Sequence, residues 1–173
     1  MVDLKRQYLH IKTEVDEAIQ EVINTTSFIN GKAVADFSAA LSRYLGIEHV
    51  IPCANGTDAL QIAMMALNLQ PGDEVITANF TYVATAEVIA LLKLTPVLVE
   101  VNPDTFTIDP AAIEKAITPK TKAIVVCNPN NPTGYLYSAQ EMETLKQIVI
   151  KHDLFLFADE AYREFCYEGN QVS

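Results

Sequence analysis

From His49 onward, short apolar runs alternate with stretches of helical spacing, and this alternation restricts the fold more than any other feature of the 173 residues. His49–Pro52, Val75–Ala78, Pro96–Val101, Ala123–Cys127 and Leu154–Ala158 read as strands. Thr57–Leu69 and Thr81–Leu92 read as helices between them, apolar nearly all round. Asp109-Pro110 supplies an N-cap and a first-turn proline for a short helix to Ile117. Ser138 and Glu141 have capping-box spacing and open a helix with Met142, Leu145 and Val149 on one face. Parallel strands need a crossover of this length, so the expected class is α/β, with a mostly parallel sheet. The strand runs are apolar throughout rather than alternating, which calls for helices on both sheet faces. Two further helices precede this unit, at about 8–24 and at Val34–Tyr44, the second stopped by Gly46.

In such a sheet, ligands bind beyond the carboxyl ends of the strands. The residues expected there are chemically distinctive. Gly56 and Thr57 open a helix, where free N–H groups and the helix dipole attract an anion such as phosphate. Tyr82, after the second run, offers a ring face for stacking. Asn128-Pro-Asn-Asn-Pro-Thr-Gly134 is a stiff loop rich in hydrogen-bonding groups. Asp159 follows an apolar strand, where a carboxylate needs a partner; a protonated ring nitrogen is one. Each feature has a plain structural reading as well: an N-cap turn, a core aromatic, a connection, a helix-capping Asp. Their convergence on one sheet edge is more specific than any member.

Composition removes several function classes. Twenty-two acidic residues against 12 basic ones give a formal charge of −10, which disfavours nucleic acid and anionic membrane surfaces. No apolar run is long enough to span a bilayer, and the amino terminus is charged where a signal peptide would be apolar. Cys53, Cys127 and Cys166 have no metal-ligand spacing and are expected to be buried, reduced thiols of a cytoplasmic protein. No metal site is expected.

These residues resemble the fold-type-I pyridoxal-phosphate-dependent transferases. Phe28-Ile-Asn-Gly31, Ala54-Asn-Gly-Thr-Asp-Ala-Leu60, Pro71-Gly-Asp-Glu-Val75, Phe80-Thr-Tyr-Val-Ala-Thr85 and Thr118-Pro-Lys-Thr-Lys-Ala-Ile124 are similar to the DegT/DnrJ-type sugar-nucleotide aminotransferases. Asn128–Gly134 and Asp159-Glu-Ala-Tyr-Arg163 instead resemble the aspartate-aminotransferase-like class I/II family. The resemblance implies a single, incomplete large domain over 1–173, a partial three-layer α/β/α sheet with two amino-terminal helices. A changeover between the two families is expected near 122–127, as in a hybrid or chimera. It further implies that Gly56 and Thr57 hold the phosphate of pyridoxal 5'-phosphate, and that Tyr82 stacks on its ring. Asn131 and Tyr162 would bond its phenolic oxygen, and Asp159 its ring nitrogen. The implied substrates are an amino donor and a keto-sugar nucleotide, or a keto acid on the aspartate-type alternative, in a homo-oligomer, a dimer.

In both families the Schiff-base lysine follows the Asp159 position, and none of the lysines here has the matching context. No catalytic residue is therefore expected, and the chain is expected to be a truncated piece that holds the cofactor without a covalent bond, or a non-catalytic scaffold. In that fold the first strand is separated from the fourth by two later ones, so a gap two strands wide is expected in mid-sheet.

Overall fold

The computed structural model describes residues 3–167. The chain divides into two compact units, Met1–Cys53 and Ala54–Ser173. The first holds helices α1 (Leu4–Asn24) and α2 (Lys32–Leu45). Asp3 caps α1 by accepting from the Arg6 N–H. Gly46 ends α2 in the left-handed conformation, at φ +67°, which costs glycine no Cβ clash.

The second unit runs α3 (Gly56–Ala66), β1 (Glu74–Ala78), α4 (Ala84–Leu91), β2 (Thr95–Val99), α5 (Pro110–Ala116), β3 (Thr121–Cys127), α6 (Ala139–His152) and β4 (Phe155–Asp159). The four strands are parallel, in the order β2-β1-β3-β4. Side chains alternate across the sheet. Val75, Ala123 and Val125 pack with Met64 of α3 and with Val88 and Ile89 of α4. Ile76, Ile124 and Val126 pack on the other face with Ile113 of α5 and with Leu145 and Ile148 of α6. Helices therefore cover both faces, as the uniformly apolar strand runs require. The outer surfaces of α3 and α4 keep apolar side chains in the open, among them Met65 and Leu91.

The caps stand where the spacing predicts them. Asp109 accepts from the Ala111 N–H ahead of Pro110. Ser138 and Glu141 complete both halves of the capping box. Four expectations are corrected. His49–Pro52 forms no strand. A strand needs a ladder partner, and no described residue pairs with this segment; Ile51 is 78% exposed. The mid-sheet gap is accordingly absent: β4 lies directly beside β3, and the sheet ends at β4 among the described residues. Helix α4 starts at Ala84 rather than Thr81, because residues 79–83 form the turn out of β1. Cys53 is exposed rather than buried, in the segment that lacks strand pairing, while Cys127 is buried.

Two measurements probe this packing. Ser138→Ala removes the cap of α6 and lowers the unfolding free energy by about 1 kcal/mol in urea denaturation. Tyr137 is buried and its phenol is pushed up to about 12, chiefly by burial. The folded state thus holds this proton more tightly than the unfolded chain. Its contribution is intact below the unfolded value near 10, and is lost as pH rises toward about 12. Wild type therefore loses more stability than Tyr137→Phe over that alkaline window; parallel curves would refute the assignment.

Candidate functional site

The parallel sheet sends the ends of β1, β3 and β4 to one edge, and four sequence-predicted side chains come from the segments there. Tyr82 lies in the turn after β1, 57% exposed. Asn131 lies in the loop after β3, and Tyr162 in the turns after β4. The Asn131 side-chain amide donates to the Tyr162 hydroxyl at 3.1 Å. That bond uses one amide N–H and an oxygen lone pair. A second amide N–H and the phenol O–H can still donate to a shared acceptor. Asp159 is the last residue of β4, which therefore runs one position beyond the Ala158 end that the strand reading gave it. It is half-buried, and one carboxylate oxygen accepts the Ala161 N–H at 3.1 Å. The other oxygen has no hydrogen-bond partner among the described residues.

Gly56 and Thr57 form the first turn of α3. Residues 67–73 return from α3 to the start of β1, so the amino end of α3 points toward the same edge as the strand termini. The Asn55 side chain caps the helix by accepting from the Asp58 N–H at 2.9 Å. It also donates to the Asp58 carboxylate at 3.0 Å, so the one acidic side chain of this turn is already engaged. A Cβ added at Gly56 would meet nothing within 4 Å. The space over this turn is therefore open, and the Thr57 hydroxyl has no partner among the described residues. Neutral donors at a helix start suit a phosphate. The fit of the donor set to pyridoxal phosphate is good: hydroxyl and N–H donors, an exposed ring, paired donors for an oxyanion, and a carboxylate with an unused oxygen.

Sequence reasoning missed the residues that hold this edge in place. Asn128 is 2% exposed and Asn130 is 5% exposed. The Asn128 N–H donates to the Asp159 carbonyl at 2.9 Å, tying the loop to β4, and its side-chain oxygen accepts the Tyr137 N–H at 3.1 Å. Asn130 donates its N–H to the Tyr135 carbonyl at 2.8 Å and accepts from the Gly134 N–H at 2.7 Å, which closes the loop on itself. Gly134 sits at φ +72°, where glycine is the least strained residue. The run of three asparagines was the available signal; which of them face inward was not legible. A groove of about 430 Å³ adjoins this loop, lined by Asn131, Tyr162, Phe165 and Tyr167 among others.

Cys127 lies beside Asp159 in the β3–β4 register, and its thiol donates to the Pro129 carbonyl at 3.3 Å. Burial pushes the thiol upward, the Asp159 charge adds to that, and a backbone bond from Asn131 opposes it. Asp159→Asn therefore speeds alkylation of Cys127 several-fold at pH 8–9, with exposed Cys53 as internal reference. An unchanged ratio of the two rates would show that the carboxylate does not face the thiol.

Comparison with known proteins gives these residues a context. The model of the DegT/DnrJ/EryC1/StrS aminotransferase family matches residues 9–163, which extends past the interval 122–127. UDP-2-acetamido-2-deoxy-3-oxo-D-glucuronate aminotransferase of Pseudomonas aeruginosa is 42% identical over 92% of this chain and 43% of its own length. The crystal structure of Streptomyces venezuelae DesV with a ketimine intermediate superposes with a TM-score of 0.82, at 34% identity, over 91% of this chain and 41% of DesV. NtdA of Bacillus subtilis, with bound cofactor PMP, gives 0.77 at 36% identity, over 85% of this chain and 32% of NtdA. A Thermus thermophilus aspartate aminotransferase double mutant gives 0.64 at 40% identity, over 69% of this chain and 31% of that enzyme. The chain thus spans less than half the length of each of these proteins.

Proposed function

Because the chain belongs to the DegT/DnrJ/EryC1/StrS aminotransferase family, we propose that it is the cofactor-holding part of a pyridoxal-phosphate-dependent keto-sugar-nucleotide aminotransferase. The observation that carries this reading is the edge shared by β1, β3 and β4, where the Asn131–Tyr162 pair and the half-free Asp159 carboxylate stand together. The bound cofactor would supply an electron sink at the carbon bearing the transferred nitrogen. The chain's own residues do the holding. Thr57 and the amide of Gly56 take the phosphate at the start of α3. The Tyr82 ring covers one face of the pyridine. Asn131 and Tyr162 donate to the phenolic oxygen and favour its anionic form. Asp159 accepts from the ring nitrogen and keeps it protonated, because a carboxylate partner favours the charged form of a base.

The lysines of this unit stand elsewhere. Lys93, Lys120 and Lys122 lie at or before the amino ends of strands, opposite to the site. Lys146 and Lys151 lie on α6, paired with Glu143 and Glu114, and Lys115 is in the last turn of α5. On this reading the unit holds the cofactor without a covalent bond. The same reading includes a dimer, a cytoplasmic location, and a glutamate-type amino donor with a keto-sugar nucleotide as acceptor. No helix among the described residues is long and apolar enough to cross a membrane. An aspartate-type, amino-acid-directed reading draws on the 128–134 loop and on the 40% identity to the Thermus enzyme; it shares the cofactor and differs in the acceptor.

Pyridoxamine phosphate tests the reading, since it needs no lysine. Isothermal titration should show saturable one-site binding, weakened about tenfold or more by Asp159→Ala, a loss of about 1.4 kcal/mol. Borohydride after pyridoxal phosphate should leave no specific mass adduct. An absence of saturable binding would sink the proposal; a single stable adduct would overturn its non-covalent part.

A further inference from the structure

We infer that Phe106 and Asn130 are positioning residues, which together hold the Asn131 loop and the Tyr82 turn at one fixed spacing. The inference rests on the cofactor reading above for its purpose, and on geometry for its content.

Phe106 lies in the connection between β2 and α5, and no ligand-binding residue is predicted in that connection. It adopts φ +57°, a left-handed conformation that a bulky residue reaches only at a cost. Its surroundings over-determine that conformation. The Phe106 N–H donates to the Asn102 carbonyl at 2.8 Å. The flanking Val101 and Ile108 form an antiparallel bridge that closes the loop behind it. Two outward contacts leave this anchored residue. Its ring meets Phe80 at 5.1 Å between centroids, tilted by 40°. Phe80 stands two residues before Tyr82, in the turn out of β1. The Phe106 carbonyl accepts from the Asn130 side-chain amide at 3.3 Å.

Asn130 completes the link. Its second amide contact is the Thr133 hydroxyl at 3.0 Å, and its backbone bonds close the loop over residues 130–135. Both amide hydrogens and both backbone polar groups are thus engaged within hydrogen-bonding distance. A buried amide deprived of those partners would be left unsatisfied away from water, which disfavours other loop conformations. The next residue is Asn131, whose amide reaches Tyr162. A continuous path of contacts therefore runs from the Tyr82 turn through Phe80, Phe106 and Asn130 to Asn131 and Tyr162. Neither Phe106 nor Asn130 need touch a ligand for this. Donors that must meet one rigid planar ring gain from being set in advance to its dimensions.

The test uses the full 173-residue chain, labelled with nitrogen-15, with and without pyridoxamine phosphate. The variants are Asn130→Ala, Thr133→Val and Phe106→Gly; glycine removes the ring while relieving the positive φ. Thr133→Ser serves as the conservative control that keeps the hydroxyl. Cross-peaks of Ile124 and Val125, deep in β3, report whether the sheet is intact. In the free wild type the Asn131 side-chain amide should give one resolved, slowly exchanging pair of resonances, identified by its loss in Asn131→Ala. Asn130→Ala and Thr133→Val should broaden or shift that pair toward the solvent-exposed value with β3 unchanged, and Thr133→Ser should restore it. Phe106→Gly should move the Tyr82 and Asn131 signals together. Pyridoxamine phosphate affinity should fall about five- to tenfold in Asn130→Ala and Phe106→Gly, and stay near wild type in Thr133→Ser.

An Asn131 amide that keeps its wild-type signature in Thr133→Val and Phe106→Gly overturns the inference, whatever the ligand does. So does unchanged affinity in Asn130→Ala when wild type binds. If wild type fails to bind pyridoxamine phosphate at all, the functional reading falls while the free-state resonances still decide the positioning. If Asn130→Ala does not fold, the other two variants decide it alone.

Discussion

Strand β3 hydrogen-bonds to β1 on one side and to β4 on the other, and those two ladders place the segments that carry Tyr82, Asn131, Asp159 and Tyr162. Parallel pairing fixes direction: all carboxyl ends must leave at one edge. It also fixes register. Cys127 at the end of β3 stands opposite Asp159 at the end of β4, so the loop that follows β3 starts beside the carboxylate. The ladder holds because β3 is buried on both faces, with Ala123 and Val125 toward α3 and α4, and Ile124 and Val126 toward α5 and α6.

The edge built in this way consists of loops, and loops need their own anchors. The molecule supplies them through buried amides. Asn128 pins the start of the loop to β4, and Asn130 pins its middle to the β2–α5 connection. Each amide is almost fully withdrawn from water and each is engaged, so alternative loop conformations would leave polar groups unpaired. The residues left facing outward, Asn131 and Tyr162, owe their mutual geometry to neighbours that face inward.

Much of this was legible in the chain. Gly46, Asp109-Pro110 and the Ser138–Glu141 box end or start their helices where local chemistry puts them. The four strands that formed are those with a neighbour in the sheet. His49–Pro52 has the composition of a strand and forms none, since composition supplies propensity and a ladder must be supplied by something else. Asp159, Tyr82 and the Gly56-Thr57 turn were singled out because each follows a predicted strand or opens a helix, and Asn131 and Tyr162 by the family resemblance. Asn128, Asn130 and Phe106 were not. Their partners are distant in sequence, 24 residues separating Asn130 from Phe106, and no local pattern encodes such a meeting.

The sequence by itself determined the class of fold, the helix ends marked by caps and the chemical character of the loops, because apolar spacing, caps and turn residues act over a few positions. Tertiary structure decided which predicted strand had a partner, which asparagines turned inward, and which carboxylate oxygen remained unused. Those outcomes depend on pairing between segments far apart in the chain, where burial and hydrogen-bond satisfaction are settled by the whole unit and not by any stretch of it.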